Sequence, residues 1–457
     1  MLSIDRLELQ VDIQRHVSSI PDAPGRIAVT GDITMRNRTR RPVSRATLLL
    51  YRLLTLDSLG DPDGVRPIRW RQHIRGLRDL PELQVNVVTL AFDTPLQEAE
   101  SCSLALSYSG AVVGYREVFP YVHDAVERDR MVLRREVLWH PIAGPPTVAG
   151  FVRGLRAPAE FVVTATLPDG WWGAMPSIPS TFDPASHACR VAGESAGLSL
   201  VGGLFEHFHP PSGDEPVVVH APPPHRDWAS RVADAIQVTT ERLTTWVGES
   251  PRRAPWDVIE VPPHWGSEAT PFALLIEHRE DEPAVFQEAV HETTHRWALP
   301  AGDRFCDESL AHYLEMLVLT AEWGAPYREQ ALRVWRTQLT EAPDAAATPI
   351  QTGALRMQDH VDLVTRVKGP LALAVLHSAL GDEEFFSLLH RWFVSPRLAF
   401  RTASDFAAYV VTGASARIDA SAFVADWFEQ PKDLSALLPD RSRARDAVEE
   451  AARRYQL

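Results

Sequence analysis

The chain has 457 residues, 45% of them hydrophobic and 23% charged, with a formal net charge of −14, the balance of an ordinary globular protein of two or three domains. That acidic balance, without a basic cluster, argues against nucleic acid as a partner, and no apolar run approaches the roughly eighteen residues needed to cross a membrane. Met1 to Arg6 lack the apolar stretch of a signal peptide, and Cys102, Cys189 and Cys306 make no disulfide framework, so a cytoplasmic location is expected.

Leu7, Leu9, Val11 and Ile13 alternate with Glu8, Gln10 and Asp12, the period of a strand with one buried face. Ile27, Val29, Ile33 and Met35 repeat it, with Gly31 read as the site of a bulge. Further strand patterns run over 46–54, 85–92, 102–108, 131–138 and 161–167 with turn residues between them, which predicts a sandwich-like all-β domain over residues 1–208. The texture changes at His209-Pro210-Pro211 and again at Pro222-Pro223-Pro224. Val232, Ile236, Leu243 and Val247 then mark an amphipathic helix, and strands follow at 256–261 and 273–277. Helical patterns cover 369–393, with a break at Gly381-Asp382, and 406–428. The expected architecture is the β domain followed by an α+β, mostly helical domain over 209–400, on which a helical segment 401–457 packs. Only Lys368 and Lys432 are lysines among 46 basic residues, a bias that fits a GC-rich bacterial genome.

His291-Glu292-Thr293-Thr294-His295 is the segment that specifies chemistry. Two imidazoles four residues apart on a helix share a face and can grip one metal ion. The glutamate beside the first is placed to act as general base toward a water activated by the metal. Asp281, Glu282 and Pro283 are good helix-start residues, and Val285, Phe286, Ala289 and Val290 supply an apolar stripe. Pro300 and Gly302 end a helix of about fourteen residues. A zinc site of this kind needs a third protein ligand. The metzincin arrangement would need glycine at 298 and histidine at 301, where the chain has Ala298 and Ala301. A second helix is expected from Asp307 through Leu310, Leu314, Leu317 and Val318. Glu308 in its first turn is the candidate ligand, with Asp307 as helix cap and fallback ligand. Cys306 beside it reads as a small core residue.

The segment Asp307-Glu308-Ser309-Leu310-Ala311-His312-Tyr313-Leu314-Glu315 resembles the "NEGFAxYxE" helix of the aminopeptidase N family of gluzincin zinc metallopeptidases, and His295-Arg296-Trp297 fits that family's "HxW". The resemblance implies a divergent member with a thermolysin-like catalytic domain behind an N-terminal β domain. It implies zinc held by His291, His295 and Glu308, Glu292 as general base, and Glu315 supporting the site from behind. Twelve residues separate His295 from Glu308, where the family usually has eighteen. Trp265-Gly266-Ser267-Glu268-Ala269 stands where the family has "GxMEN", which makes Glu268 the candidate anchor for a substrate's free amine. Where the family's "YxKG" tyrosine steadies the oxyanion, Arg366-Val367-Lys368-Gly369 offers Arg366, with His360 as a second candidate donor. The implied activity is zinc-dependent hydrolysis of a peptide or peptide-like amide. A non-catalytic binding protein on the same scaffold, or a zinc enzyme acting on a small metabolite, is the alternative.

Overall fold

The computed structural model describes the chain apart from residues 1, 16–23, 65–66, 116–117, 119–122, 210–216, 252–255, 299–302, 355–359, 396–400 and 415–416. Pro300 and Gly302, expected to end the motif helix, fall outside the described residues. The chain forms two compact units, one of Met1–Phe208, Val218–Arg226 and Trp256–His278, the other of His209–Val217, Asp227–Pro255 and Arg279–Leu457. The N-terminal part is rich in sheet and the C-terminal part is helical.

In the first unit a seven-stranded sheet has the order Ser180–Asp183, Ala188–Ser195, Ala159–Thr166, Leu2–Gln14, Arg26–Asn37, Ser101–Ala111, Leu54–Gly60. Leu2–Gln14 buries Leu7, Leu9, Val11 and Ile13 and exposes Glu8, Gln10 and Asp12, as its alternation requires. A four-stranded sheet, Ile142–Ala143, Val43–Tyr51, Leu80–Leu96 and Ile68–Leu77, shares one apolar core with it: Leu9, Val29 and Leu104 belong to the same cluster as Leu49, Val88 and Leu90. Each such side chain contributes roughly 1.5–3 kcal/mol by leaving water.

Two sequence expectations need correction here. Gly31 pairs in regular register with Leu9, and the irregularity lies between Ile4 and Arg6. What position 31 requires is space, because a Cβ there would lie 2.0 Å from the Glu8 carbonyl oxygen. The strand expected over 131–138 stops at Leu133. The Arg134 backbone N–H donates to the Asp124 carboxylate instead of to a ladder partner, and the chain turns through Arg135–Val137. Ile68–Leu77 is a further strand that the sequence reading did not include; it is a sheet edge, where Arg69, Arg71 and His73 are tolerated.

A second four-stranded sheet has the order Trp172–Ala174, Leu200–Gly203, Arg130–Leu133, Ala125–Val126, and a five-stranded sheet has the order Glu206–Phe208, Val217–Ala221, Trp256–Val261, Ala273–Glu277, Glu268–Ala269. The second unit is built of helices, among them Arg226–Val247, Glu282–Ala298, Leu310–Trp323, Ala325–Glu341, Gly369–Leu380 and Asp382–Val394. The expected break at Gly381 is a left-handed C-terminal cap, φ 79°, whose N–H donates to His377 O. Val361–Leu380 is a continuous helical stretch of 20 residues with mean hydropathy 1.2, and 83% of its apolar window is buried within the protein. Its apolar residues thus face the protein's own core.

Candidate metal centre

The motif lies on helix Glu282–Ala298, whose first turn is capped by Asp281 Oδ2 accepting from the Ala284 N–H at 3.1 Å. Val285, Ala289 and Val290 face the core, so helical rotation carries His291 and His295 to a common side. Their Nε2 atoms stand 3.3 Å apart. A tetrahedral ion with bonds of about 2.0–2.1 Å places neighbouring donors about 3.3 Å apart.

Opposite them the chain passes through a π-turn, Phe305–Ser309, into helix Leu310–Trp323. Asp303 caps this start, its Oδ1 accepting from the N–H groups of Phe305 and Cys306 at 3.1 and 3.2 Å. Asp307 is therefore not the cap that spacing suggested. The widened turn carries it to the far nitrogen of His295, with Oδ1 3.3 Å from Nδ1. Glu308 Oε2 is buried without a hydrogen-bond partner and lies 3.7 Å from His291 Nε2. An acceptor of that kind is costly unless a cation or donor meets it. Two imidazoles and a carboxylate are the donor types that a zinc ion takes.

Around the motif, two three-residue groups have donor atoms that all lie within 4.8 Å of one another: His291, Glu292 and His295, and separately His291, Glu308 and His312. The expected trio of His291, His295 and Glu308 is thus divided between two groups that share His291. His312 went unnoticed in the sequence although it sits four residues after Glu308 and three before Glu315, a spacing that puts all three on one helical face. Its Nε2 is 3.7 Å from Glu308 Oε2. Arg304, one turn before Glu308, was also missed, and its Nη1 lies 2.7 Å from Glu308 Oε1.

Glu315 is buried behind the histidines. Its Oε2 accepts from Nδ1 of His291 and of His312, each at 3.0 Å, and its Oε1 accepts from Gln287 Nε2 at 2.7 Å. Burial opposes ionisation of Glu315, but the two imidazole bonds outweigh it and hold the carboxyl well below its usual range. Burial likewise opposes charge on His291, and the nearby Glu308 carboxylate together with the hydrogen bond to Glu315 overcomes that and raises it well above the usual histidine value. Glu308 is held low despite burial, by Arg304 first and then His291 and Arg366. Glu292, buried, is pushed up to about 7 by desolvation, against the pull of His291 and His295. That is the range in which a carboxylate exchanges protons near neutral pH.

Arg366 is half-exposed on the π-turn Val364–Lys368, with Nη2 3.4 Å from Glu308 Oε1. The structure thus brings it to the carboxylate of Glu308, the candidate ligand. His360 is exposed with left-handed φ 59°. Lys368 and Gly369 have structural work: Lys368 Nζ donates to Ala346 O and Thr348 O, each at 2.7 Å. A Cβ at Gly369 would lie 2.1 Å from Ser309 Oγ, so the absent side chain is what lets this helix approach the turn that carries Glu308. Glu268 belongs to the first unit, where its Oε2 lies 3.1 Å from Nε of the buried Arg134. Burial pushes its carboxyl up to about 7, with Glu136 adding to the rise and Arg134 opposing it.

No family model and no curated protein matches the amino-acid sequence. Solved structures are similar in fold. A structure of the M1 zinc metallopeptidase from Deinococcus radiodurans is 18% identical, with 94% of each chain covered and a TM-score of 0.59. A variant of that metallopeptidase bound to a Tyr-Ser-Ala substrate is 19% identical, covering 94% of this chain and 95% of the other at a TM-score of 0.60. A two-domain M1 zinc metallopeptidase variant bound to L-tryptophan is 18% identical, with 94% and 95% covered and a TM-score of 0.59.

Proposed function

We propose that the chain is a zinc-dependent, aminopeptidase-like metallohydrolase acting on a peptide or peptide-like amide, in keeping with its cytoplasmic composition. The observation that carries this reading is the buried Glu308 carboxylate oxygen, without a hydrogen-bond partner, 3.7 Å from the motif histidine His291. His291, His295 and Glu308 are assigned as the residues that would hold the ion, with His312 beside them. Asp307 and Glu315 orient the imidazoles from their far nitrogens. Zinc, when bound, supplies a Lewis acid that polarises a carbonyl and lets water react near neutral pH.

The protein's own groups then divide the work. Glu292 takes a proton from the attacking water and returns it to the amine as the carbon–nitrogen bond breaks. A cation held by His291 and His295 would lower the raised Glu292 pKa and so favour the ionised carboxylate that accepts the proton. The Arg366 guanidinium donates to the developing oxyanion. Glu268 enters as the amine anchor on its sequence position, with Arg134 competing for its charge. The fold likeness to metallopeptidases described with a tripeptide and with a free amino acid supports a peptide or small aminoacyl substrate.

One observation favours the alternative of a binding protein on this scaffold: Arg304 reaches Glu308 at 2.7 Å and could stand in for the ion's charge. Glu292→Gln separates the two readings. It should keep zinc and fold while losing about 100- to 10,000-fold in amide hydrolysis, because the amide cannot accept the water's proton. Retained turnover refutes the hydrolase mechanism.

A further inference from the structure

The first unit carries a second cluster of metal-binding side chains that the hydrolase reading does not use. Strand Trp256–Val261 runs parallel to Ala273–Glu277, with Glu260 opposite Ile276. Residues opposite one another point to the same side of a sheet, as do residues two apart, so Glu260 and His278 share a face. His278 is held there by its own N–H donating to Val261 O at 2.8 Å. His225 arrives from the other side, at the end of the short turn Pro223–His225 that follows strand Val217–Ala221. The run Pro222-Pro223-Pro224 fixes φ through that turn and so limits where His225 can point.

The three side chains converge. His225 Nδ1 lies 2.8 and 2.9 Å from the two oxygens of Glu260, and His278 Nδ1 lies 3.4 Å from Oε1. The imidazole rings stack on each other, with centroids 4.2 Å apart and planes 28° apart. All three donor atoms lie within 4.8 Å of one another, so one ion could meet all of them. The Glu260 side chain is 1% exposed, while His225 and His278 are 32% and 17% exposed. The cluster is thus anchored by a buried carboxylate and open to solvent on its histidine side.

We propose that His225, Glu260 and His278 form a second divalent transition-metal site, of the kind that takes zinc or cobalt. Two imidazoles and one carboxylate suit such ions better than calcium or magnesium, which favour oxygen ligands. The fourth position is left to water, and the ion ties together three segments distant in sequence.

The test uses the full chain, stripped of metal and titrated with zinc in a calorimeter and with cobalt by visible absorption. His291→Ala/His295→Ala removes both motif histidines, and this variant should still take up one equivalent, with the cobalt spectrum of a nitrogen- and oxygen-ligated site. His278→Ala in that background should weaken the uptake about 100-fold or more. Glu260→Gln, close in size and uncharged, should also weaken it, which guards against a variant that merely unfolds. The unsubstituted chain should bind two equivalents if the hydrolase reading also holds, and one, lost with His278→Ala, if that reading fails. The proposal is overturned if the motif variant, folded by circular dichroism, binds no zinc, or if its zinc is unaffected by either second substitution.

Discussion

Glu315→Gln tests how far the candidate centre depends on a carboxylate that need not touch the ion. In the native arrangement one oxygen of Glu315 accepts from both His291 and His312 at 3.0 Å, and the other accepts from Gln287 at 2.7 Å. Glutamine is nearly isosteric, and its carbonyl oxygen can keep facing the two imidazoles. Its NH₂ would then meet the Gln287 NH₂, a clash that a flip of the Gln287 amide relieves. The fold should survive. What disappears is the negative charge that fixes the His291 tautomer and raises its basicity as a ligand. Outer carboxylates of this type are worth about 10- to 100-fold in metal affinity, or about 1.4–2.7 kcal/mol. The assay is competition for zinc against a chromophoric chelator, with thermal unfolding of the metal-free protein as the control. A zinc affinity within about twofold of the parent, at unchanged metal-free stability, would refute the reasoning. Glu315→Ala should be worse, since it also strands two buried imidazole donors at about 1–3 kcal/mol each.

Arg366→Ala should cut turnover about 100- to 1,000-fold with zinc content unchanged if the guanidinium serves the oxyanion, and unchanged turnover removes it from the site. Gly369→Ala forces a methyl against Ser309, 2.1 Å from its Oγ, and should cost about 1–3 kcal/mol in urea unfolding; a neutral result would show that the neighbouring helix yields freely. His140 is buried and pushed down to about 4, and its Nε2 accepts from the Leu198 N–H at 3.2 Å. It therefore stays neutral in the fold while the unfolded chain protonates near pH 6.5. Its contribution is present above pH 6.5 and is lost as pH falls toward 4, by about 2 kcal/mol at pH 5. His140→Gln should flatten the stability profile between pH 7 and 5 by that amount, and an unaltered slope contradicts it.

Local periodicity was enough to read much of this chain. The alternation of Leu7 to Ile13 becomes a strand with those residues buried, Val232 to Val247 line the inner face of a helix, and Asp281 caps the motif helix. The placement of His291 and His295 on one face depends only on helical geometry, which is why the motif could be recognised without a fold. Where neighbouring elements meet was not legible. Sequence favoured Glu308 as the third ligand with Asp307 as helix cap and fallback, and assigned no role to Asp303. The π-turn decides among them, because a residue's direction rotates about 100° per position and a widened turn resets that count. It sends Asp303 to the backbone, Asp307 to the back of His295 and Glu308 to the front of His291. Arg304 and His312 were visible as helical neighbours of Glu308, yet their approach to it was decided by the same turn. His225, Glu260 and His278 carry no local signature at all. They lie on three segments, and only the parallel register of two strands and a proline-fixed turn brings their donor atoms together. Short-range pattern is encoded residue by residue, whereas convergence of distant side chains depends on sheet register and packing direction, which are properties of the folded whole.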